Sequence, residues 1–190
     1  MYVASPFSKS ALNDAQSMWI DTLHASLMQQ SFNPKLGDLA YVMRNIVAKY
    51  VSSTFHYHVT EGAASLIDGN EGLRLEIEQD LPIDMKKYFY GKKYPTVLEH
   101  MIPASVIANK LLEIRKLNLS RSDVEQVMRY SGSIAIMLRD EDAKLNSHPY
   151  KLKSKMPPCW TYGQPVLARY DAAGIKLSDY LVRRGNNIYR

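Results

Sequence analysis

The sequence predicts a single α+β domain over residues 1–190 that is mainly helical and begins with a helical hairpin. Apolar residues recur at intervals of three and four over several long segments, as a helix with one buried face requires. Only short stretches between these segments are rich in the β-branched and aromatic residues that favour strands. The apolar fraction of 46% in 190 residues supplies one hydrophobic core and argues against intrinsic disorder.

Two helices are predicted in the N-terminal part, residues 1–60. The first covers residues 8–30 and is ended by Asn33-Pro34; its apolar stripe consists of Leu12, Ala15, Met18, Trp19, Leu23 and Leu27. The second runs from Gly37 to about Ser53, and its stripe consists of Leu39, Val42, Met43, Ile46, Val47 and Tyr50. The connection between them is short, so the two helices are expected to pair as a hairpin.

A short strand and two less regular segments follow the hairpin. Residues 54–59 are rich in β-branched and aromatic residues, and a strand here places His56 and His58 on one face. Such a pair of histidines is more often structural than metal-binding when no third ligand is near in sequence. Residues 62–72 are predicted to be a turn-rich connector. Residues 73–78 alternate apolar and charged side chains like a half-buried strand, with a short helix as the alternative.

The second half of the chain alternates helices and strands. Residues 95–100 are predicted to be extended, and a helix follows Pro103. Ser122 and Glu125 fit a capping box, which predicts another helix that ends near Ser131-Gly132. A compact apolar strand is predicted over Ile134–Leu138, and a short helix begins at the acids 140–142. The basic C-terminal part, residues 158–190, is less regular, with a last helical piece near 175–182.

The charge of the chain favours a polyanionic partner. The net charge is +5 and the isoelectric point is near 9.2. Several cations are interleaved with aromatic residues, so phosphates and bases are candidate contacts. The candidates for DNA contact are Lys92, Lys93, Lys151, Lys153, Lys155 and Arg169. A solvated rim of lysines around half-buried tyrosines is the alternative interpretation.

Cysteine content and hydropathy exclude several classes of protein. Cys159 is the only cysteine, which rules out an internal disulfide and a cysteine-rich zinc site. No window approaches eighteen consecutive apolar residues, and residues 1–10 lack the order of a secretory signal. We therefore predict a cytoplasmic protein without membrane contact.

A candidate catalytic motif lies in the central segment, Pro95–Pro157. The string Glu99-His100-Met101-Ile102-Pro103 is followed, further along the chain, by the strand at 133–138 and by Asp140-Glu141-Asp142. Together these stretches resemble the HNH family of His-Me finger nucleases, and the first is similar to the D-H-x-x-P of the HNH domain in CRISPR effector nucleases. The resemblance implies a small ββα-metal-like unit, here an HNH-like core over residues 95–157 with a helical insertion.

The resemblance also implies an activity, metal-dependent endonucleolytic hydrolysis of DNA. His100 would be the general base, because neutral imidazole titrates near the working pH. Glu99 and Asp142, with Glu141 as a substitute, would hold one Mg²⁺ or Mn²⁺ ion. Ser131 or Ser133 stands where the family has a middle Asn that orients the histidine.

The same residues allow a function of another class. Glu99-His100 also suits a helix cap or a buried pair, and the acids at 140–142 also suit the N-terminus of a helix. The chain would then be a non-catalytic basic binding module, such as a phage-type regulator or inhibitor that binds DNA or a host protein. A homodimer is compatible with either function. The turn at 156–160 and the Arg169-Tyr170 pair are substrate contacts in one interpretation and core packing in the other.

Overall fold

The computed structural model describes residues 11–29, 37–90, 94–115 and 119–185, and within them the chain is α+β and mainly helical, as the sequence predicts. The elements in chain order are α1 (Asp14–Met28), α2 (Gly37–Ser52), β1 (His56–Thr60), α3 (Glu61–Asp68), α4 (Glu71–Glu78), a π-helix (Lys86–Tyr90), β2 (Thr96–His100), α5 (Ala104–Ile114), α6 (Arg121–Ser131), β3 (Ile134–Leu138), α7 (Arg139–Asn146), α8 (Ala168–Ala172) and β4 (Leu177–Arg183).

The chain divides into two compact units, each assembled from three separate stretches of sequence. Unit 1 takes its described residues from Met1–Ser53, His100–Ser133 and Lys153–Ala168. Unit 2 takes its described residues from Thr54–Glu99, Ile134–Leu152 and Arg169–Arg190. The predicted single domain over 1–190, with its parts at 1–60, 95–157 and 158–190, stays a prediction.

Unit 1 is built from the four helices α1, α2, α5 and α6. Helix α1 packs against α2 and α6, while α5 packs against α2 and α6, so the predicted N-terminal hairpin is confirmed. The apolar stripes of the four helices form its core, which includes Ile20, Leu23, Leu27, Met43, Val47, Ile107, Leu111, Val124 and Met128. The predicted helix end at Asn33-Pro34 and the predicted helical residues 8–10 and 30 lie outside the described residues.

The start of α6 differs from the prediction by two residues. Ser120, not Ser122, is the N-cap: its hydroxyl accepts a hydrogen bond from the backbone N–H of Asp123 at 3.2 Å. The Asp123 carboxylate in turn accepts from the backbone N–H of Ser120 at 2.8 Å, which completes the capping box. Glu125 is instead paired with Arg121 and Arg129. Both serines fit the capping pattern, and the earlier one frees Glu125 for these two ion pairs.

Unit 2 contains a mixed sheet with the strand order β2-β3-β1-β4. Strand β1 is parallel to β3, with His58 beside Ala135, and antiparallel to β4, with His58 beside Leu181. The backbone hydrogen bonds from Met101 to Ser133 and from Arg139 to Pro95 have the register of an antiparallel β2–β3 pair. Helices α3 and α4 pack together and against β4, and α7 packs against β3.

Three predictions for unit 2 are wrong in type. Residues 62–72 are not a connector, because Thr60 caps α3 and Asn70 caps α4 through side-chain hydrogen bonds. Residues 73–78 belong to α4, so the helical alternative is confirmed and the strand is excluded. Residues 177–182 form most of β4 rather than a helix, because pairing with β1 decides their conformation.

Among the described residues, the helices are all too short or too polar to span a bilayer.

Candidate functional site

The predicted catalytic residues fall on both units. Glu99 near the end of β2 and Glu141 and Asp142 in the first turn of α7 belong to unit 2, and each is half-buried. His100, the last residue of β2, is also half-buried and is counted with unit 1. The role of His100 as a general base stays a prediction.

Glu99 forms an ion pair with the buried Arg169. The Arg169 guanidinium donates through Nη2 to Glu99 Oε1 and through Nη1 to the backbone oxygen of Leu152 at 2.9 Å. The side chain of Arg169 is 0% exposed and that of Glu99 is 22% exposed. Arg169 is therefore an internal cation in this structure, and its predicted contact with DNA stays a prediction without structural support.

Glu141 holds the start of α7. Its Oε2 accepts from the hydroxyl of Thr60 at 2.5 Å and from the backbone N–H of Leu138 at 2.9 Å. The second bond is the half of a capping box that the N3 carboxylate supplies, because the N-cap residue Leu138 has no side-chain acceptor. Gly62 leaves the room for this arrangement, because a Cβ at that position would lie 2.7 Å from Glu141 Oε1. Through these contacts Glu141 stabilises the N-terminus of α7.

Tyr170 also belongs to unit 2, and the charges of both Glu99 and Asp142 affect the pKa of its hydroxyl. Burial raises the pKa of its hydroxyl above the usual 10.0, and both acids raise this pKa further against the opposing effect of Arg169. The hydroxyl is buried and makes no hydrogen bond of good geometry, although the Arg169 guanidinium carbon lies 5.5 Å from the ring centroid. The charges of Glu99 and Asp142 therefore both act on Tyr170, and the Arg169 guanidinium supplies the positive charge beside it.

The described residues do not form a metal site of the predicted kind. Within residues 11–29, 37–90, 94–115 and 119–185, no group of three or more His, Cys, Asp and Glu side chains is arranged to hold an ion. Glu99 is neutralised by Arg169, and an adjacent guanidinium repels a divalent cation. The donor set therefore does not fit Mg²⁺ or Mn²⁺, and the predicted ion stays a prediction without structural support.

The two units differ in net charge. Among the described residues, unit 1 contains 8 Lys and Arg against 6 Asp and Glu, whereas unit 2 contains 10 Lys and Arg against 13 Asp and Glu. The described part of unit 1 is therefore net positive, and that of unit 2 is net negative. Lys153 and Lys155 of unit 1 and Lys151 of unit 2 are exposed, while Lys92 and Lys93 lie outside the described residues. The stretch 153–168 contributes two lysines and no acid.

Unit 1 also contains a cleft of about 590 Å³. One side is lined by Val106, Asn109, Lys110 and Glu113 of α5, and the other by Met156, Pro157, Trp160, Thr161 and Tyr162. The rings of Trp160 and Tyr162 meet edge to face, with centroids 5.3 Å apart. Lys110 Nζ lies 5.6 Å from the centroid of Tyr162 and 2.9 Å from Glu113 Oε1. The lining of the cleft therefore combines aromatic rings with a cation, Lys110, and an anion, Glu113.

The sequence contains a signal for this cleft that its interpretation missed. Residues 106, 109, 110 and 113 have the spacing of a single helix face, and the last three of them are polar, so this face differs from the apolar core stripe. The turn at 156–160 is predicted to be either a substrate contact or core packing, and the sequence shows no link between this turn and α5. The two signals lie far apart in the chain, and each is common on its own.

Comparison of the chain with protein-family models, with curated proteins and with solved structures finds no match in any of the three. The HNH-like resemblance therefore rests on the motif residues alone, and function must be argued from the geometry and charge of the two units.

Proposed function

We propose that the chain is a non-catalytic DNA-binding module in which unit 1 contacts the phosphate backbone. One observation carries this proposal: among the described residues, unit 1 is net positive whereas unit 2 is net negative. Phosphate contacts by Lys and Arg release condensed counterions, which supplies most of the affinity of sequence-independent binding. A cytoplasmic location and a homodimer stay predictions.

The partners of the cations in unit 1 indicate which ones meet phosphate. Arg121 pairs with Asp21 and Glu125, and Arg129 pairs with Glu125, so these cations are locally balanced. Lys153 and Lys155 are exposed and belong to a stretch without acids. The hydroxyl of Ser105 donates to the backbone oxygen of Ser154 at 2.9 Å, which ties the residue between the two lysines to the N-terminal turn of α5. Lys153 and Lys155 are therefore the first candidates for phosphate contact.

The salt dependence of binding tests this assignment. The variant Lys153→Ala/Lys155→Ala should bind a fluorescent duplex more weakly, and the slope of log K against log salt should shrink by about 2, one for each lost phosphate contact. Fluorescence anisotropy between low and moderate salt measures both quantities. The matched control is Lys86→Ala/Lys176→Ala, which removes two exposed lysines of unit 2.

Two results would contradict the proposal. Wild-type protein that fails to retain DNA even at low salt would exclude the function. A control variant that loses as much slope as the Lys153/Lys155 variant would exclude unit 1 as the contact surface, since net charge alone would then explain both losses.

The second candidate is the HNH-like endonuclease, which one structural observation favours. Strand β2 pairs with β3 and α7 follows β3 directly, so the order of elements is ββα once the helices between β2 and β3 are set aside. Incubation of supercoiled plasmid with Mg²⁺ or Mn²⁺ separates the two candidates. A binding module leaves the plasmid intact, whereas nicking by the wild type that is lost in His100→Ala would establish the endonuclease instead.

A further inference from the structure

The aromatic rings of the unit 1 cleft are held in place by the protein itself. Trp160 donates its Nε1–H to the backbone oxygen of Pro165 at 3.0 Å, so the polar edge of the indole already has a partner. Tyr162 contacts Trp160 on one side, and its ring centroid lies 5.6 Å from that of Tyr130 on the other. Rings that are ordered in advance lose little conformational entropy when a flat ligand stacks on them.

The polar groups of the cleft suit the edge of a nucleobase. Asn109 on α5 is exposed, and its amide offers two donors and an acceptor. Lys110 and Glu113 add a donor and an acceptor one turn apart on the same face of the helix. Bases are recognised by this combination of amide and charged groups at the edge of a stacking surface.

Phosphate-binding cations adjoin this surface. Lys155 directly precedes Met156, which lines the cleft, and Lys153 lies two residues earlier. The bond from Ser105 to Ser154 fixes this stretch on α5, the helix that forms the opposite side of the cleft. A groove that combines aromatic rings with backbone-tracking cations is the common design of single-strand binding.

From this arrangement we infer that the cleft receives an unpaired nucleobase, so that the protein prefers single-stranded DNA to duplex. This inference rests on the DNA-binding function proposed above and adds the class of substrate. A volume of about 590 Å³ lies within the range of small-ligand sites and accommodates a base with its sugar. A base in a duplex is stacked and paired, so it cannot enter without being flipped out.

Tryptophan fluorescence gives a direct test. The chain has two tryptophans, so Trp19→Phe leaves Trp160 as the source of the tryptophan emission. Oligo(dT) should quench Trp160 as the base stacks, while a duplex of equal length should bind with little quenching. A separate anisotropy assay uses Trp160→Leu as the single substitution, with Trp19 retained. This variant should weaken single-strand binding by roughly tenfold to a hundredfold, the range expected for one lost base stack.

A second variant keeps the test independent of folding. Asn109→Asp alters an exposed side chain in the cleft and should weaken oligo(dT) binding by about tenfold, since a carboxylate loses the amide donors and repels phosphate. The matched control is Asn45→Asp, the same change on the exposed surface of α2 in the same unit. The control should weaken single-strand and duplex binding equally and by only a few-fold.

The outcomes separate this inference from the proposed function. Equal affinity for single strand and duplex, without quenching of Trp160, would overturn the role of the cleft and leave DNA binding intact. An equal effect of Asn109→Asp and Asn45→Asp on oligo(dT) affinity would also overturn it. Retention of neither form of DNA would remove the proposed function and the inference together.

Discussion

Unit 1 and unit 2 use their charged residues in opposite ways. In unit 1, Arg121 is 39% exposed and pairs with Glu125, which is 26% exposed, so water screens both charges. In unit 2, Arg169 is fully buried and its charge is neutralised by Glu99. Within the described residues, unit 1 carries an excess of cations on a helical framework, whereas unit 2 carries an excess of acids and encloses the cation of Arg169. The net positive charge of unit 1 thus favours a polyanion, while the charge of Arg169 in unit 2 is enclosed and matched by Glu99.

The largest expected effect comes from breaking the ion pair of unit 2. Glu99→Gln removes the negative charge that faces the buried Arg169 guanidinium, and the loss of one partner of a buried pair costs about 3–5 kcal/mol. Urea unfolding followed by circular dichroism measures the change in the free energy of unfolding. A double variant, Glu99→Leu/Arg169→Met, should lie closer to the wild type than Glu99→Gln, because it removes both charges.

The corresponding change in unit 1 is the control. Glu125→Gln breaks the ion pairs with Arg121 and Arg129, both of which are partly exposed, and should cost at most about 1 kcal/mol. Equal destabilisation by Glu99→Gln and Glu125→Gln would contradict the distinction between the internal and the surface pair.

The fold could be predicted from sequence where a segment is long or unmistakably apolar. Helix α2 begins at Gly37 as predicted, and β3 spans Ile134–Leu138 as predicted, because each segment satisfies a single periodicity. The short α4 has apolar residues at alternate positions, which both a strand and one face of an eight-residue helix accommodate. The conformation of β4 depends on β1, more than a hundred residues away, and local sequence does not contain that information.

The candidate sites were less predictable because each depends on distant residues. Glu99 was identified from its neighbours in the sequence, but its partner Arg169 lies 70 residues further on. In the structure this partner makes Glu99 the counter-ion of a guanidinium, and the role of Glu99 as a metal ligand stays a prediction. The cleft of unit 1 likewise needs α5 and the turn at Trp160 together. Contacts between residues so far apart in the chain are set by tertiary packing, and the local periodicity of the sequence does not predict them.

An intermediate effect is expected at the cap of α6, on the surface of unit 1. Ser120→Ala removes the hydroxyl that accepts from the N–H of Asp123 and should cost about 1 kcal/mol at neutral pH. Hydrogen bonds from the hydroxyl and backbone N–H of Ser120 lower the pKa of Asp123 below the usual 3.8. A lowered pKa stabilises the fold above pH 3.8, and this contribution is lost as the pH falls below that value.

The pH dependence of Ser120→Ala therefore tests the cap. Thermal unfolding at pH 7 and at pH 2 to 3 should show a smaller difference between variant and wild type in acid, because protonated Asp123 no longer accepts these bonds. Ser122→Ala is the matched control, since Ser122 is exposed and is not the N-cap. A loss at Ser122 equal to that at Ser120 would mean that the helix begins two residues later.

The smallest expected effects come from the removal of two tyrosine hydroxyls, one in each unit. In unit 1, the hydroxyl of Tyr130 donates to the backbone oxygen of Gln164 and accepts from the N–H of Gly163, so Tyr130→Phe should cost about 1 kcal/mol. In unit 2, the hydroxyl of Tyr170 is buried without such a partner. Tyr170→Phe should therefore be neutral or stabilise the protein by up to about 1 kcal/mol at neutral pH.

Alkaline pH should widen the difference at Tyr170. Burial raises the pKa of this hydroxyl above the usual 10.0, so the stability of the wild type is unaffected by its ionisation below pH 10 and falls as the pH rises, since the unfolded chain ionises first. The advantage of Tyr170→Phe over the wild type should then grow above pH 10 in urea titrations. Destabilisation by Tyr170→Phe at neutral pH would instead show that the hydroxyl has a bonding partner, and that unit 2 satisfies its buried polar groups as fully as unit 1 does at Tyr130.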